Sequence, residues 1–343
     1  MTIDVASSVN FNLYEYPNKF SKSLPATILI EETFNNITAL GRGLSHEARI
    51  ITSFAEIVER YNLWHQKSDL ESAYDNNSSM LSPTLQVLPQ GVQLDNRIVE
   101  WKIFSSNETD QIFIHRPISN SGKETYFTHT SNGSSVHQSG QLALKSAREE
   151  LIERHLFALF WYFESKIDQV QYCIKEIELS TMAGWNVSFY TIKDFEKTTL
   201  CLMHNLKDQR FPINGSIIGL SFGDGSNSAM RAYAECIQAL EGYLTFDKNI
   251  NENLDFYLSG EGTEILKKKI SVALESTFMS ITENILKEND LYYFITNTLH
   301  GLYYCEAVIP NLIPLQFNID KTLRIPSNLT YLLKEVPKYN PLG

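Results

Sequence analysis

Three times along this 343-residue chain the same spacing of polar side chains recurs inside an apolar helical stretch, and that repetition limits the fold more than any other feature. Thr52, Glu56, Glu59 and Arg60 read TxxxExxER; Ser146, Glu150, Glu153 and Arg154 read SxxxExxER; Arg231, Glu235 and Gln238 read RxxxExxQ. Residues at i, i+4 and i+7 share one helical face, so each stretch presents a column of hydroxyl or guanidinium, then carboxylate, then carboxylate or amide. The residues beside these columns are apolar: Ile57 and Val58, Leu151 and Ile152, Cys236 and Ile237. The columns therefore border a core, where carboxylates need partners.

A single ExxER beside an arginine is ordinary decoration of a solvated helix. Three such columns are different, because each is also opened by small residues able to start a helix: Gly43-Leu44-Ser45, Gln138-Ser139-Gly140 and Gly225-Ser226-Asn227. If the columns converge, Glu56, Glu59, Glu150, Glu153 and Glu235 meet. Two like charges about 4 Å apart repel by roughly 4 kcal/mol at an effective dielectric near 20, so the cluster stays ionised only around cations. Glutamate oxygens suit hard divalent ions, and magnesium commonly takes one or two carboxylates together with substrate phosphates. Arg60, Arg154 and Arg231 are then natural phosphate clamps. From this chemistry the constellation suggests a nucleoside triphosphate held through several magnesium ions. The glycine-bearing GDGSNS at 223–228 lacks the lysine of a Walker A loop.

Periodicity and turn residues predict helices near 46–63, 140–165, 228–245 and 261–288. Strand-like runs are ATILIEE, VEWKIF with QIFIHRPI, VSFYTI with TTLCLMHNL, SIIGLSF and LYYCEAVIP. Residues 1–40 form an irregular lead-in, 66–96 reads as an exposed flexible loop, and 330–343 is a proline-bearing tail. Helices and strands alternate without a break, so 41–343 is expected to form one mixed α/β or α+β domain. The formal charge of −11 disfavours broad contact with nucleic acid or anionic membrane, and no apolar run is long enough to span a bilayer, so the chain is expected in the cytosol. Its basic cluster, Lys267 to Lys269, reads as a solvated helix face. The four cysteines form no CxxC, and Cys201 with His204 reads as core rather than metal ligand.

From about Gly41 to Leu315 the ordered motifs resemble the YcaO family. GRGLSHEARIITSFAEIVERY is similar to that family's GKG followed by SxxxExxER. SNGSS and then ELIERH are similar to its SNG segment and second ExxER, AMRAYAECIQAL to its ALxRAxxExxQ, and EAVIPNLIPL to its VVxPGLxPL. The resemblance implies that Glu56, Glu59, Glu150, Glu153 and Glu235 hold magnesium bridging a triphosphate and that Arg154 and Arg231 contact phosphates. It also implies that Thr52 and Asn132 lie near the nucleoside, that Gln238 supports the site, and that Arg42, standing where the family has lysine, belongs to the ATP-binding set. Arg60 is left between phosphate contact and a structural role. Thr52 replaces the usual serine, Ser134 to His137 replace an Ala-Gly-rich turn, and the tail VPKYNPLG keeps only Pro337 and Pro341 of a PxPxP terminus.

The reaction implied by the resemblance is ATP-dependent activation of peptide backbone amides. A neighbouring Cys, Ser or Thr as nucleophile gives a thiazoline or oxazoline, external sulfide gives a thioamide and an amine gives an amidine. The leading expectation is a cyclodehydratase acting on a ribosomally made precursor peptide. Its rivals are a thioamide- or amidine-forming member and a non-catalytic scaffold subunit. Because the ATP-binding domain accounts for nearly all of the chain, a separate E1-like or ThiF-like partner is expected to bind the leader peptide. The same complex has room for a dehydrogenase as a further expected partner, and a homodimer or hetero-oligomer is the expected assembly.

Overall fold

The computed structural model describes residues 11–33, 37–65, 70–73, 98–106, 111–115, 132–246, 252–258, 260–277, 291–298, 301–309 and 312. The proline-bearing tail, most of the 66–96 stretch and the segment 313–315 lie outside the described residues. In chain order, β1 (Phe11–Tyr16), β2 (Thr27–Glu32) and β3 (Ile37–Leu40) lead into α1 (His46–His65). Next, β4 (Leu70–Ala73), β5 (Ile98–Ser105), β6 (Gln111–His115) and β7 (Ser134–His137) precede α2 (Gly140–Phe163). β8 (Ile167–Val170), α3 (Ile177–Ala183), β9 (Trp185–Lys193), β10 (Lys197–Asn205) and β11 (Ser216–Phe222) lead into α4 (Ser226–Thr245). The described elements end with α5 (Glu252–Leu258), α6 (Glu261–Glu275), β12 (Tyr292–Asn297) and β13 (Tyr303–Val308).

These strands form three sheets, ordered β1-β2-β3, β11-β10-β9-β8 and β4-β5-β12-β13-β7 with β6 against β5. Every described pairing is antiparallel, so the expected alternation of helix and strand resolves as α+β. The sequence of β10 shows why its sheet is covered on both faces. Side chains alternate across a strand; Leu200 and Leu202 face the core built on α2, while Cys201 and Met203 face the core built on α4. The helix α2 is apolar nearly all round from Leu156 to Phe163 because it is enclosed, with β11, β10 and β9 on one side and β13 and β7 on another. At its start the Ser139 hydroxyl accepts the Leu142 N–H at 3.3 Å, the cap its sequence predicts.

The first sheet packs Ile28, Ile30 and Ala39 against Ile57 and Val58 of α1. A buried ion pair then ties α1 to α4: Arg49 and Glu241, 1% and 0% exposed, meet through Nη1–Oε2 at 2.6 Å and Nη2–Oε1 at 2.8 Å. Where α4 crosses β11, Gly219 permits the contact, since a Cβ there would stand 2.2 Å from the Ala232 carbonyl oxygen.

Several expectations need correction. Residues 70–73, inside the stretch read as a loop, form a strand. The polar run Ser134 to His137 is also a strand, paired to β13 with Glu306 opposite Ser134. The last long helix stops at Glu275 because Ser276 turns extended, with φ −63° and ψ 138°; positions 278–290 lie outside the described residues. Lys269 is not on a solvated face: it is 7% exposed and its Nζ reaches Glu164 Oε1 at 3.4 Å. Of Cys201 and His204, both read as core, the cysteine alone is fully buried; His204 is half-buried, with Nδ1 3.0 Å from Ser216 Oγ.

Candidate functional site

α1, α2 and α4 bring their polar columns to one cavity of about 410 Å³, closed by β7 and by the outer edge of β11. Arg42, Thr52, Glu56 and Glu59 line it from α1 and the turn before it, Glu150, Glu153 and Arg154 from α2, and Arg231, Glu235 and Gln238 from α4. Of the expected ligand residues only Asn132 is outside this lining, in the turn preceding β7. Sequence reasoning did not anticipate that Ser134, Ser135, Glu149, Leu220, Ser221 and Phe222 also line it. Ser134 and Ser135, which depart from the family pattern, face the cavity.

The carboxylates are aimed by backbone amides. Leu220 N–H donates to Glu235 Oε2 at 2.5 Å and Phe222 N–H to Glu153 Oε2 at 2.8 Å, both from the edge of β11 that no strand pairs with among the described residues. The Gly133 N–H donates to Glu150; Gly133 has φ +82°, and a Cβ there would meet the Ala307 carbonyl oxygen at 2.5 Å. The side chains of Glu56, Glu150, Glu153 and Glu235 remain 33%, 26%, 13% and 20% exposed, so they are reachable from the cavity although largely covered.

Their protonation reflects the crowding. Burial pushes Glu59 well above the ordinary carboxylate value, with Glu150 and Glu56 adding repulsion. Burial also raises Glu150 to about 7 despite the nearby Arg154. Glu56 and Glu153 are raised for the same first reason, opposed most by Arg60 and Arg154 respectively. Arg154 and Arg42 neutralise without bonding closely. Arg154 lies 3.8 Å from Glu150, 3.8 Å from Glu153 and 3.9 Å from Glu235, while Arg42 lies 3.8 Å from Glu235. Arg154 Nε is buried without a hydrogen-bond acceptor among the described residues. Arg60 is engaged structurally, donating to the Thr38 carbonyl and to Glu56, and Arg231 Nη2 donates to the Phe222 carbonyl at 3.4 Å from the exposed rim.

Residues 40–292 match the profile of YcaO cyclodehydratases, described as ATP- and Mg2+-binding. The chain belongs to the YcaO family. No curated protein matches the sequence. Among solved structures, the E. coli microcin synthetase McbBCD complex is similar at 15% identity and TM-score 0.67, covering 93% of this chain and 92% of the matched chain. A YcaO from Methanopyrus kandleri bound with AMPPCP and Mg2+ is similar at 11% identity and TM-score 0.59, over 92% and 89% of the two chains. A heterocyclase in complex with substrate and cofactor is similar at 12% identity and TM-score 0.65; the match covers 88% of this chain but only 50% of that one. At these identities the likeness establishes the shared fold.

This YcaO cavity suits a magnesium-bound polyphosphate in its donor set. Arg154 offers a buried, unspent N–H to an anion, and the carboxylates of Glu56, Glu59, Glu150 and Glu153, whose ionised forms burial disfavours, need added positive charge. Among the described residues no three His, Cys, Asp or Glu side chains are gathered around a single ion position. Magnesium held by one or two carboxylates and completed by phosphate oxygens requires no such triple.

Proposed function

We propose that this YcaO protein uses ATP and magnesium to activate backbone amides of a ribosomally synthesised precursor peptide, forming thiazoline or oxazoline rings. The observation that carries the reading is the meeting of five carboxylates and the unsatisfied Arg154 in one cavity, on a chain whose family is ATP- and Mg2+-binding. Glu56, Glu59, Glu150, Glu153 and Glu235 are assigned to magnesium, and Arg42, Arg154 and Arg231 to phosphate oxygens. Bound Mg-ATP supplies the phosphoryl group that turns an amide oxygen from a very poor leaving group into phosphate. The carboxylates fix where that group sits, and the guanidiniums stabilise the charge that develops on it. In total, one azoline forms with ATP converted to ADP and phosphate.

The assembly is assigned by the same reading. A separate E1-like or ThiF-like protein binds the leader peptide, with a dehydrogenase possible in the same complex; a similar fold occurs in the microcin synthetase complex with pro-MccB17 bound. Thioamide or amidine formation is the amide-activating alternative, since it would draw on the same nucleotide site. The non-catalytic scaffold is disfavoured by the intact columns. Mass spectrometry of candidate peptides incubated with the protein, its partner, ATP and magnesium separates these readings. Loss of one water per modified residue supports azolines and exchange of oxygen for sulfur supports thioamidation. ATP turnover with an unchanged peptide would count against both.

A further inference from the structure

The short segment from Leu40 to Gly43 carries Arg42 from the end of β3 to the cavity, and the side chains of Thr52, Arg49 and Gln238 hold its backbone. The Arg42 N–H donates to Thr52 Oγ1 at 2.7 Å, and the same hydroxyl lies 2.7 Å from the Arg42 carbonyl oxygen and 2.8 Å from that of Ala48. Arg49 Nε donates to the Gly43 carbonyl at 2.8 Å, and Gln238 Nε2 donates to the Leu40 carbonyl from across the cavity on α4. Gly41 N–H donates to the Ile28 carbonyl at 2.8 Å, and a Cβ on Gly41 would stand 2.2 Å from the Arg49 carbonyl oxygen, so the segment is also pressed against α1.

A threonine hydroxyl has one proton and two lone pairs. Here one lone pair is taken by the Arg42 amide and the proton by a carbonyl, which leaves no donor for a phosphate or ribose oxygen. The guanidinium it holds in place is the opposite case. Arg42 has a side chain 43% exposed and touches a carboxylate only at 3.8 Å, so its donors are available to an anion.

We propose that Thr52 is a positioning residue: it acts on a bound polyphosphate through the backbone of Arg42 and does not contact the nucleoside, while Gln238 secures the other end of the same segment from α4. This rests on the nucleotide reading above and revises the role that resemblance assigns to Thr52. The threonine sits one helical turn from Glu56, so the first column sets both the carboxylate and, indirectly, the cation that faces Glu235.

The test is a double-mutant cycle on the full-length protein, with calorimetric binding of Mg-ATP and of adenosine. Thr52→Val keeps the shape and removes the hydroxyl; Thr52→Ser keeps the hydroxyl; Thr52→Ala repeats the removal in a smaller side chain in case the valine variant does not fold. The expected loss of Mg-ATP affinity is about tenfold for the valine and alanine variants and less than about threefold for the serine variant. Adenosine binding should be unchanged, and Thr52→Val should add almost nothing in an Arg42→Ala background. Without ligand, the Arg42 amide should exchange its hydrogen faster in Thr52→Val and remain protected in Thr52→Ser. Equal losses for adenosine and Mg-ATP, or additive losses with Arg42→Ala, would overturn the proposal in favour of direct contact. Failure of the wild type to bind Mg-ATP would instead overturn the nucleotide reading and the phosphate half of this proposal with it. Unchanged protection of the Arg42 amide in Thr52→Val would overturn the anchoring itself, whatever the nucleotide result.

Discussion

Replacing Glu241 with leucine strands the buried guanidinium of Arg49 in the seam between α1 and α4. Glu241 receives Arg49 Nη1 at 2.6 Å, Arg49 Nη2 at 2.8 Å, Asn18 Nδ2 at 2.6 Å and Thr27 Oγ1 at 3.3 Å, with both charged side chains essentially inaccessible to water. Removing one partner of such a pair costs about 3–5 kcal/mol, because the remaining charge is left without compensation. Two carbonyls soften the loss: Arg49 Nε also donates to Gly43 and Nη1 to Ala26 at 3.2 Å. The lower half of that range is therefore expected for Glu241→Leu in equilibrium urea unfolding. The double replacement Arg49→Met with Glu241→Leu removes both charges and fills the space with apolar atoms. It should recover most of the loss and end within about 1–2 kcal/mol of the wild type. A single substitution costing under about 1 kcal/mol would mean that the pair is hydrated in solution, as an exposed pair is. A double variant no more stable than the single would equally refute the account, since the cost would then come from lost shape and not from a stranded charge.

Three other outcomes follow from the cavity. Glu150→Gln should weaken magnesium-dependent ATP binding by at least about 100-fold in calorimetry, while leaving the ligand-free protein no less stable at pH 8. The second half follows because burial already opposes the ionised carboxylate, raising Glu150 from 4.5 to about 7. In EDTA, wild-type stability should fall as pH rises from about 5.5 to 8. The folded pKa of Glu150 is raised, so its contribution is full below the unfolded value and is lost as pH passes about 7; the raised Glu56, Glu59 and Glu153 act in the same direction. Urea midpoints should show this slope and a shallower one in Glu150→Gln; identical slopes would sink the assignment. Gly219→Ala should cost about 1–3 kcal/mol and weaken Mg-ATP binding together, because the new methyl must push α4 and Glu235 away from β11.

The helical walls were legible from sequence because each combines a polar i, i+4, i+7 column with buried neighbours such as Ile57, Ile152 and Ile237. Their convergence was a condition of that reading and followed from the YcaO resemblance, and ten of the eleven expected residues do line one cavity. What stayed hidden depends on partners distant in the chain. Ser134 to His137 looks like a turn until β13, about 170 residues later, pairs with it. The Arg49–Glu241 pair joins positions 192 residues apart, and nothing local marks either residue as buried. Lys269 sits among lysines on an amphipathic helix, yet it is covered and meets Glu164, a residue far away in the chain. The amides that aim Glu153 and Glu235 carry no sequence signature, because every residue but proline has one.

The edge of β11 gives those amides a second significance. An unpaired strand edge is a template for pairing with another chain, and here Glu235 occupies the Leu220 position of that template and Glu153 the Phe222 position. A gene copy drifting toward a catalytically silent form by losing these glutamates would also uncover a sticky edge along a strand that reads SIIGLSF. Selection for solubility would thus conserve the two carboxylates even where selection for chemistry had relaxed, and a silent homologue would be expected to lose its arginines first.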